Sequence, residues 1–107
     1  MMMKTVKTDL DYWVYLEDNP NFTGILLTKY GHKYWFRNGE HHRTDGPAIE
    51  YHNGEKEWLQ NGKLHREDGP AIEFADGDKS WHINGEYLTE EEWKIKSRKL
   101  KLDKFLL

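Results

Sequence analysis

Residues 42–58, HRTDGPAIEYHNGEKEW, return 23 residues later as residues 65–81, HREDGPAIEFADGDKSW. Aligning residues 35–57 with residues 58–80 gives 13 identical pairs out of 23. A partial copy begins upstream near Ile25, and the pattern stops downstream at Asn84-Gly85. Two full repeats between two incomplete ones are typical of a stacked array, whose end units differ because they cover the core against water.

Each repeat contains dipeptides that favour tight turns. Asn or Asp before Gly tolerates positive φ and is typical of two-residue β-hairpin turns. These dipeptides occur at residues 38–39, 53–54, 61–62, 76–77 and 84–85. The runs between them are short and rich in aromatic and β-branched residues. The sequence therefore predicts a mainly β fold, an antiparallel meander of 23-residue repeats.

Two-residue turns would fix which side chains face each other across each hairpin. Counting outward from Asn53-Gly54 places Ile49 opposite Trp58 and Glu50 opposite Glu57. One sheet face then carries the apolar residues of the repeats and forms the core. This predicted core consists of Trp35, Trp58, Trp81, Ile49, Ile72, Tyr51 and Phe74. The other face is predicted to be exposed and acidic, with Glu50, His52, Glu55, Glu57, Glu73, Asp78 and His82.

The chain ends carry different patterns. Residues 11–17, DYWVYLE, alternate in the manner of a strand. Thr89 and Glu92 have the spacing of a capping box, which predicts a short helix from about Glu90 that caps the sheet with Trp93. Beyond Ser97 the alternation of KLKLDKFLL predicts a further strand.

We predict a single domain over residues 1–107, with an N-terminal strand and cap (1–24), a repeat sheet (25–85) and a C-terminal helix and tail (89–107). The apolar end of that tail, Phe105-Leu106-Leu107, suggests docking on the sheet edge or on a second copy as a homodimer.

Composition narrows the class of protein. The chain is 14% aromatic and 36% hydrophobic, which favours a folded domain with an aromatic core over disorder. It contains no Cys, which excludes disulfide scaffolds and Cys-based zinc sites. No secretory leader or membrane span is recognisable, so a cytoplasmic protein is expected. Residues 94–104 hold six basic residues and one acidic residue, +5, so a net charge of −3 leaves −8 elsewhere. Nucleic acid and anionic membrane are therefore disfavoured as ligands of the body.

The repeat unit resembles the MORN repeat superfamily. The resemblance rests on the 23-residue period, the Trp before a Gly turn and the Asp-Gly between units. It spans roughly residues 25–85, and the phrase His-Arg-x-Asp-Gly-Pro-Ala resembles the variant found in small proteins of tailed phages and giant viruses. HRTDGPA replaces the usual Gly-x-Gly after the turn. The resemblance implies a β-meander scaffold used mainly for protein–protein contact, with lipid binding proposed for some members, and it does not imply catalysis.

The repeated His-Arg-x-Asp phrase is the candidate for chemistry. Across the Asn-Gly turns, His42 falls opposite Trp35 and His65 opposite Trp58. A structural role is the favoured interpretation, in which each His stacks on the repeat Trp and is held by the Asp-Gly-Pro loop, whose Asp accepts backbone N–H groups. Arg43 and Arg66 are expected to bridge to the next repeat's carboxylate. The alternative is a ligand site made of His42, Arg43, His65 and Arg66.

Metal and catalytic sites have less support. His41 and His42 are neighbours that point to opposite faces of a strand, and residues 76–78, DGD, lack the remaining positions of a calcium loop. No nucleophile sits in a recognisable turn, and no Gly-rich phosphate loop opens a helix. We therefore predict no enzyme, metal or cofactor.

Four functions follow in order of preference. The first is a non-enzymatic protein-binding module, a phage or viral accessory factor that inhibits a host or defence protein in the host cytoplasm. It would act through an acidic sheet face formed by Glu50, His52, Glu55, Glu57, Glu73 and His82. The second is a small-ligand protein that binds or sequesters nucleotides. A small hydrolase using His42 or His65 is third, and a lipid-binding repeat is fourth.

Overall fold

The computed structural model describes residues 4–8 and 12–106 and contains two α-helices, α1 (Tyr12–Asp18) and α2 (Glu90–Leu106). Its eleven strands are, in chain order, β1 (Lys4–Thr8), β2 (Gly24–Thr28), β3 (Lys33–Arg37), β4 (Glu40–His41), β5 (Ile49–Glu50), β6 (Lys56–Glu57), β7 (Leu59–Gln60), β8 (Lys63–Leu64), β9 (Ile72–Glu73), β10 (Lys79–Ile83) and β11 (Glu86–Leu88).

Nine strands form one mixed sheet in the order β1-β2-β3-β5-β6-β9-β10-β11, with β4 paired to β3. The remaining two, β7 and β8, form a separate hairpin. Pairing is antiparallel between all neighbours from β2 to β11, as a meander requires. The prediction of a mainly β fold with a C-terminal helix is therefore confirmed.

The N-terminal segment corrects one prediction. Strand β1 runs parallel to β2, and parallel strands need a crossover between them. Helix α1 lies in this connection, so most of the segment predicted as a strand is helical. Tyr15 and Leu16 from α1 pack against the buried residues of the first repeat. The alternation that predicted a strand covers only seven residues, and the packing of α1 on the buried cluster stabilises a helix there instead.

Three of the five Gly turns are two-residue hairpin turns, as predicted. Asn38, Asn61 and Asn84 have φ values of 50°, 52° and 49°, and the Gly after each also has positive φ. This is the conformation of a type I′ turn, which pairs Arg37 with Glu40 directly across the first of them.

The other two turns contain three residues, which corrects the predicted register. Tyr51 N–H donates to Glu55 O at 2.9 Å, and the equivalent bond from Phe74 to Asp78 is also 2.9 Å. Only the Gly of each dipeptide has positive φ there, at 95°. The extra residue shifts the pairing by one, and such a slip moves every side chain on one strand to the other face.

The shifted register puts charged residues of alternating sign on one face of the central sheet. In strand order this row reads Lys33, Glu50, Lys56, Glu73, Lys79. Glu50 therefore lies opposite lysines, where Glu57 was predicted. Ile49 lies opposite Glu57, where Trp58 was predicted. We call this side of the sheet the ladder face.

The other side we call the Glu57 face, after the residue at its centre. Its central row reads Leu26, Tyr34, Ile49, Glu57, Ile72, Ser80. Tyr51 and Phe74 share this face because strand side chains alternate. The predicted apolar core is thus divided, with the three repeat Trp residues on the ladder face.

Burial also divides the predicted core. Trp35 and Ile49 are buried, whereas Trp58, Trp81, Ile72 and Tyr51 are partly buried. Phe74 is 39% exposed, so its assignment to the core was wrong. The main cluster of buried residues lies in the first repeat, under α1, and includes the fully buried Leu26 and Phe36.

Helix α2 begins where the capping box predicts. Thr89 N–H donates to the Glu92 carboxylate at 2.9 Å, and Glu92 N–H donates to the Thr89 hydroxyl at 3.2 Å. The helix continues to Leu106, so the predicted strand beyond Ser97 is wrong. The side of α2 that faces the sheet carries residues 93, 97, 100 and 104. Their spacing of three to four residues is the repeat of an α-helix, and it decides the structure here over the apparent two-residue alternation. No helix in the described part of the chain is long and apolar enough to cross a membrane.

Candidate functional site

The two His-Arg-x-Asp-Gly-Pro loops fold back over the repeat Trp residues on the ladder face. The Arg43 guanidinium carbon lies 4.1 Å from the Trp35 ring centroid, and that of Arg66 lies 3.7 Å from the Trp58 ring. A guanidinium stacked on an indole is a favourable cation–π contact. Arginine, and not histidine, is therefore the residue that covers Trp35 and Trp58.

The same guanidinium groups close the loops. Arg66 donates to Asp68 Oδ1 and to the Pro70 carbonyl, each at 3.1 Å, and to Glu73 at 2.9 Å. Arg43 makes the first two bonds in its own loop, at 2.9 and 3.1 Å. The partners of both arginines lie within their own repeat, which corrects the expected bridge to the next one. The Asp side chains accept from arginine. The Asp45 carboxylate also takes a hydrogen bond from its own backbone N–H, as expected.

The Gly of each loop leaves room for the guanidinium. A Cβ atom at Gly46 or Gly69 would lie 2.7 Å from the guanidinium carbon of Arg43 or Arg66. That separation is shorter than a normal van der Waals contact, so a side chain there would displace the arginine. The stacking geometry therefore explains why His-Arg-x-Asp-Gly-Pro recurs as a unit.

His42 and His65 connect successive repeats. Each lies opposite the predicted Trp, since His42 N–H donates to Trp35 O at 3.0 Å and His65 N–H to Trp58 O at 2.9 Å. Among the described residues, neither ring bonds to Asp-Gly-Pro itself, which corrects that expectation, although His65 Nε2 bonds Glu67, the loop residue just before Asp68. His42 Nδ1 accepts the N–H of Asn61 at 3.0 Å.

The same bond recurs one repeat on, where His65 Nδ1 accepts the Asn84 N–H at 2.9 Å. At the first turn, the Thr23 hydroxyl accepts the N–H of Asn38 at 2.9 Å. Each Asn that adopts positive φ is thus held by an acceptor from the preceding unit. The His residues are structural connectors whose Nδ1 atoms are already engaged.

The second loop carries an additional network. With Nδ1 accepting, His65 Nε2 holds the proton and donates to Glu67 at 2.9 Å. The Lys104 ammonium from α2 bonds the other oxygen of Glu67 at 2.7 Å. Burial raises the pKa of Glu67, but the bonds from Lys104 and His65 outweigh it and lower the pKa overall. His65 is buried, so this network ties the end of α2 to the second repeat.

The loops border two clefts. One of about 580 Å³ is lined by Arg43, His65 and Arg66 together with Glu67 and Lys104. The other, of about 410 Å³, is lined by His42 and Arg43. The structure therefore brings the predicted ligand-binding residues to two clefts. The guanidinium groups of the two Arg residues and the Nδ1 atoms of the two His residues are, however, already hydrogen-bonded within the protein.

The predicted partner-binding residues do not share one surface. Glu50 and Glu73 lie on the ladder face between lysines. Glu55 and Glu57 lie on the opposite side, and His52 lies in the turn between β5 and β6. The sixth residue, His82, is buried and its Nε2 lies 2.7 Å from the Ser80 hydroxyl, so it is not displayed outward. The single acidic face is thus an incorrect prediction that followed from the register error.

The Glu57 face nevertheless concentrates acidic and apolar side chains. Burial and a hydrogen bond with the neighbouring Glu55 raise the pKa of Glu57, while a bond from Tyr51 lowers it in part. Two carboxyl groups therefore share one polar site on a half-buried surface. Phe74 lies beyond them on the same side. Sequence reasoning placed Tyr51 and Phe74 in the core, and so missed that they surround this pair.

The end of the array is closed by a residue from outside the repeats. Trp93 of α2 packs on Trp81 with ring centroids 4.6 Å apart, as predicted. Its indole N–H donates to the Arg66 carbonyl at 2.8 Å. Thr89 occupies the position that Arg43 and Arg66 hold in the full repeats, so Trp93 covers the last Trp in place of an arginine.

No group of three or more His, Asp or Glu side chains among the described residues is arranged to hold a metal ion. No protein-family model, curated protein or solved structure matches this chain. The resemblance to MORN-like repeats accordingly stays a prediction based on the repeat itself.

Proposed function

We propose that this chain is a non-enzymatic protein-binding module whose Glu57 face binds a cationic, partly apolar segment of another protein. The observation that carries the proposal is the Glu55–Glu57 pair. Burial of Glu57, followed by the hydrogen bond and the charge of the neighbouring Glu55, raises the pKa of Glu57. Such a pair opposes folding, and an Arg or Lys from a partner would relieve the repulsion.

The surroundings of the pair support this proposal. Ile72 and Tyr51 are half-buried and Phe74 is more exposed, so the carboxyl groups lie within an apolar patch. Aromatic side chains around a charged centre are typical of interface hot spots. If the chain has the viral origin implied by the repeat resemblance, the partner would be a host or defence protein.

The test compares the two sides of the sheet. Glu55→Gln/Glu57→Gln removes two charges from the Glu57 face, and Glu50→Gln/Glu73→Gln removes the same charge from the ladder face. A glutamine at position 73 can still accept from Arg66. We expect the first variant to lose the partner in quantitative affinity capture from host lysate, with at least about tenfold weaker binding to the purified partner.

The control should bind within about twofold of the parent chain, and binding of the parent should weaken as salt rises. Equal binding by all three proteins would contradict the proposal. So would an equal loss in both variants, which would indicate a general charge effect. Thermal unfolding of each variant checks that its fold is intact.

The cleft between the two loops favours small-ligand binding as the second candidate, because it gathers Arg43, His65 and Arg66. Nucleotides are the appropriate probe in a thermal-shift assay. A saturable stabilisation that Arg66→Lys reduces would support this function over the first. The hydrolase hypothesis gains no support, since the Nδ1 atoms of His42 and His65 both accept backbone N–H groups.

A further inference from the structure

Helix α2 has a second apolar stripe that nothing in the described part of the chain covers. The face toward the sheet contains Trp93, Ser97, Leu100 and Lys104. At 100° per residue, Ile95, Leu102 and Leu106 point away from it, with Phe105 beside them. Their exposed fractions are 68% for Ile95, 56% for Leu102, 87% for Phe105 and 80% for Leu106. We call these four residues the outer stripe.

Basic residues flank the outer stripe. Arg98 lies on one side of the stripe and Lys99 on the other. Lys101 lies on the same side as Arg98, further from the stripe. Within the described residues these three form no ion pair, whereas the other three basic residues of α2 pair with carboxylates. The surface that complements the stripe is therefore apolar and negatively charged.

A second α2 is a poor match for the outer stripe. Pairing two stripes would bring Arg98 and Lys99 of both copies together, and like charges oppose such an interface. A symmetric helix pair is therefore disfavoured.

The Glu57 face has the complementary composition. Ile72 and Phe74 offer apolar contact, and Glu55, Glu57 and Asp78 offer negative charge on the same side of the sheet. The dimensions agree as well. From residue 95 to residue 106 the stripe extends about 17 Å, and four strands from β5 to β10 span about 14 Å.

The contact has to be made between molecules. Helix α2 packs on the ladder side, where Trp93 meets Trp81 and Ile83. Its outer stripe faces away from the sheet, whereas the Glu57 face is the opposite surface of that sheet. A chain therefore cannot place its own stripe on its own Glu57 face without undocking α2.

We propose that the outer stripe of one copy docks on the Glu57 face of a second copy. Such an interface joins two different surfaces, so each added copy leaves one stripe and one face open. Association then grows into rings or chains as concentration rises. It also occupies the surface proposed for partner binding, so the two events compete, although self-association does not depend on any foreign partner.

The experiment uses the full chain in sedimentation velocity over a concentration series. The stripe variant is Leu102→Asp/Phe105→Ser, and the face variant is Glu57→Lys. Glu50→Lys makes the same charge change on the ladder face and serves as the control. We expect the parent and the control to associate, and each of the other two to need at least about tenfold higher concentration.

Mixing provides the decisive measurement. The stripe variant keeps an intact face and the face variant keeps an intact stripe, so an equimolar mixture should form a dimer with one copy of each. No dimer larger than this pair should form, because the remaining surfaces are both damaged. Formation of that one-to-one dimer would not be expected from a symmetric interface.

Several outcomes would overturn the proposal. Association by the face variant but not by the stripe variant would indicate helix-to-helix pairing. A monomeric parent at all concentrations would exclude self-docking. If that monomer floated with phosphatidylserine vesicles and the stripe variant did not, the stripe would be a membrane contact. The first proposed function fails separately, since capture of a foreign protein is measured with dilute, monomeric chain.

Discussion

The repeated loops and the sheet beside them use their polar groups in opposite ways. In the loops at residues 42–48 and 65–71, the identical residues hold one another, and Arg66 alone donates to three partners. On the Glu57 face the repeats differ, since Glu57 corresponds to Ser80 and Tyr51 to Phe74. The identical residues of the loops stabilise the scaffold, whereas Glu57, where the repeats differ, carries a carboxyl group that folding does not need.

The greatest loss of stability should follow from replacing a residue that both repeats share. His65→Ala leaves the Asn84 N–H without its acceptor and opens a cavity, which should lower the free energy of unfolding by about 3 kcal/mol. His42→Ala should lower it less, because His42 is only half-buried. Urea unfolding of both variants measures this order. Equal losses, or none, would contradict the connector role of His65.

Gly69→Ala tests the arginine stack. Its methyl group would meet the Arg66 guanidinium, and we expect a loss of about 2 kcal/mol of unfolding free energy. The double variant Gly69→Ala/Arg66→Ala removes the clash, so the Ala substitution should cost less there than in the parent chain. Full additivity in this double-mutant cycle would show that the Gly is needed for another reason.

The third prediction concerns His41, a position at which the repeats differ because its counterpart is Leu64. Burial lowers the pKa of His41 to about 4. Between about pH 6.5 and 4 the unfolded chain therefore binds a proton that the folded chain does not, and stability falls as the pH falls. His41→Leu should remove about 1–2 kcal/mol of the loss between pH 7 and pH 5. Unfolding curves at both pH values measure it, and an unchanged pH dependence would contradict the effect.

The smallest effect concerns Glu57, and its sign is opposite. Burial and the Glu55 contact raise the pKa of Glu57, so its charge opposes folding at neutral pH and the parent gains stability as the pH falls through that pKa. Glu57→Gln should stabilise the chain at pH 7 by less than about 1 kcal/mol, since the site is partly solvated. The gain should shrink as the pH falls through the raised pKa and vanish below about pH 4. Thermal unfolding at pH 7 and below pH 4 measures it, and a gain of the same size at both pH values would contradict this cause.

Much of the candidate site could be anticipated, but not its arrangement. The repeat pointed to His42, Arg43, His65 and Arg66, and the structure brings them to the clefts between the loops. The stacking of arginine on tryptophan was missed, because the spacing alone allows either His or Arg to cover the indole. The composition of the Glu57 face was missed because it depends on a register that one residue changes.

The 23-residue repeat, the positions of the turns and the start of α2 can all be read from the amino-acid sequence alone. These follow from local chemistry: Asn-Gly and Asp-Gly permit positive φ, and Thr89 and Glu92 satisfy the first turn of a helix. The length of each turn depends instead on contacts between repeats and within the turn. Asn61 and Asn84 are held at positive φ by His42 and His65 of the preceding repeat.

Asn53 and Asp76 instead accept N–H bonds from residues two positions further along the chain, at 3.0 and 2.9 Å, and their turns gain a residue. Identical or similar dipeptides thus adopt two turn types: in three of them the Asn N–H bonds an acceptor from a neighbouring unit, and in the other two the Asn or Asp side chain accepts from within the turn. That difference sets the register of the central strands. It therefore decides which carboxylates lie among lysines and which lie together on the Glu57 face.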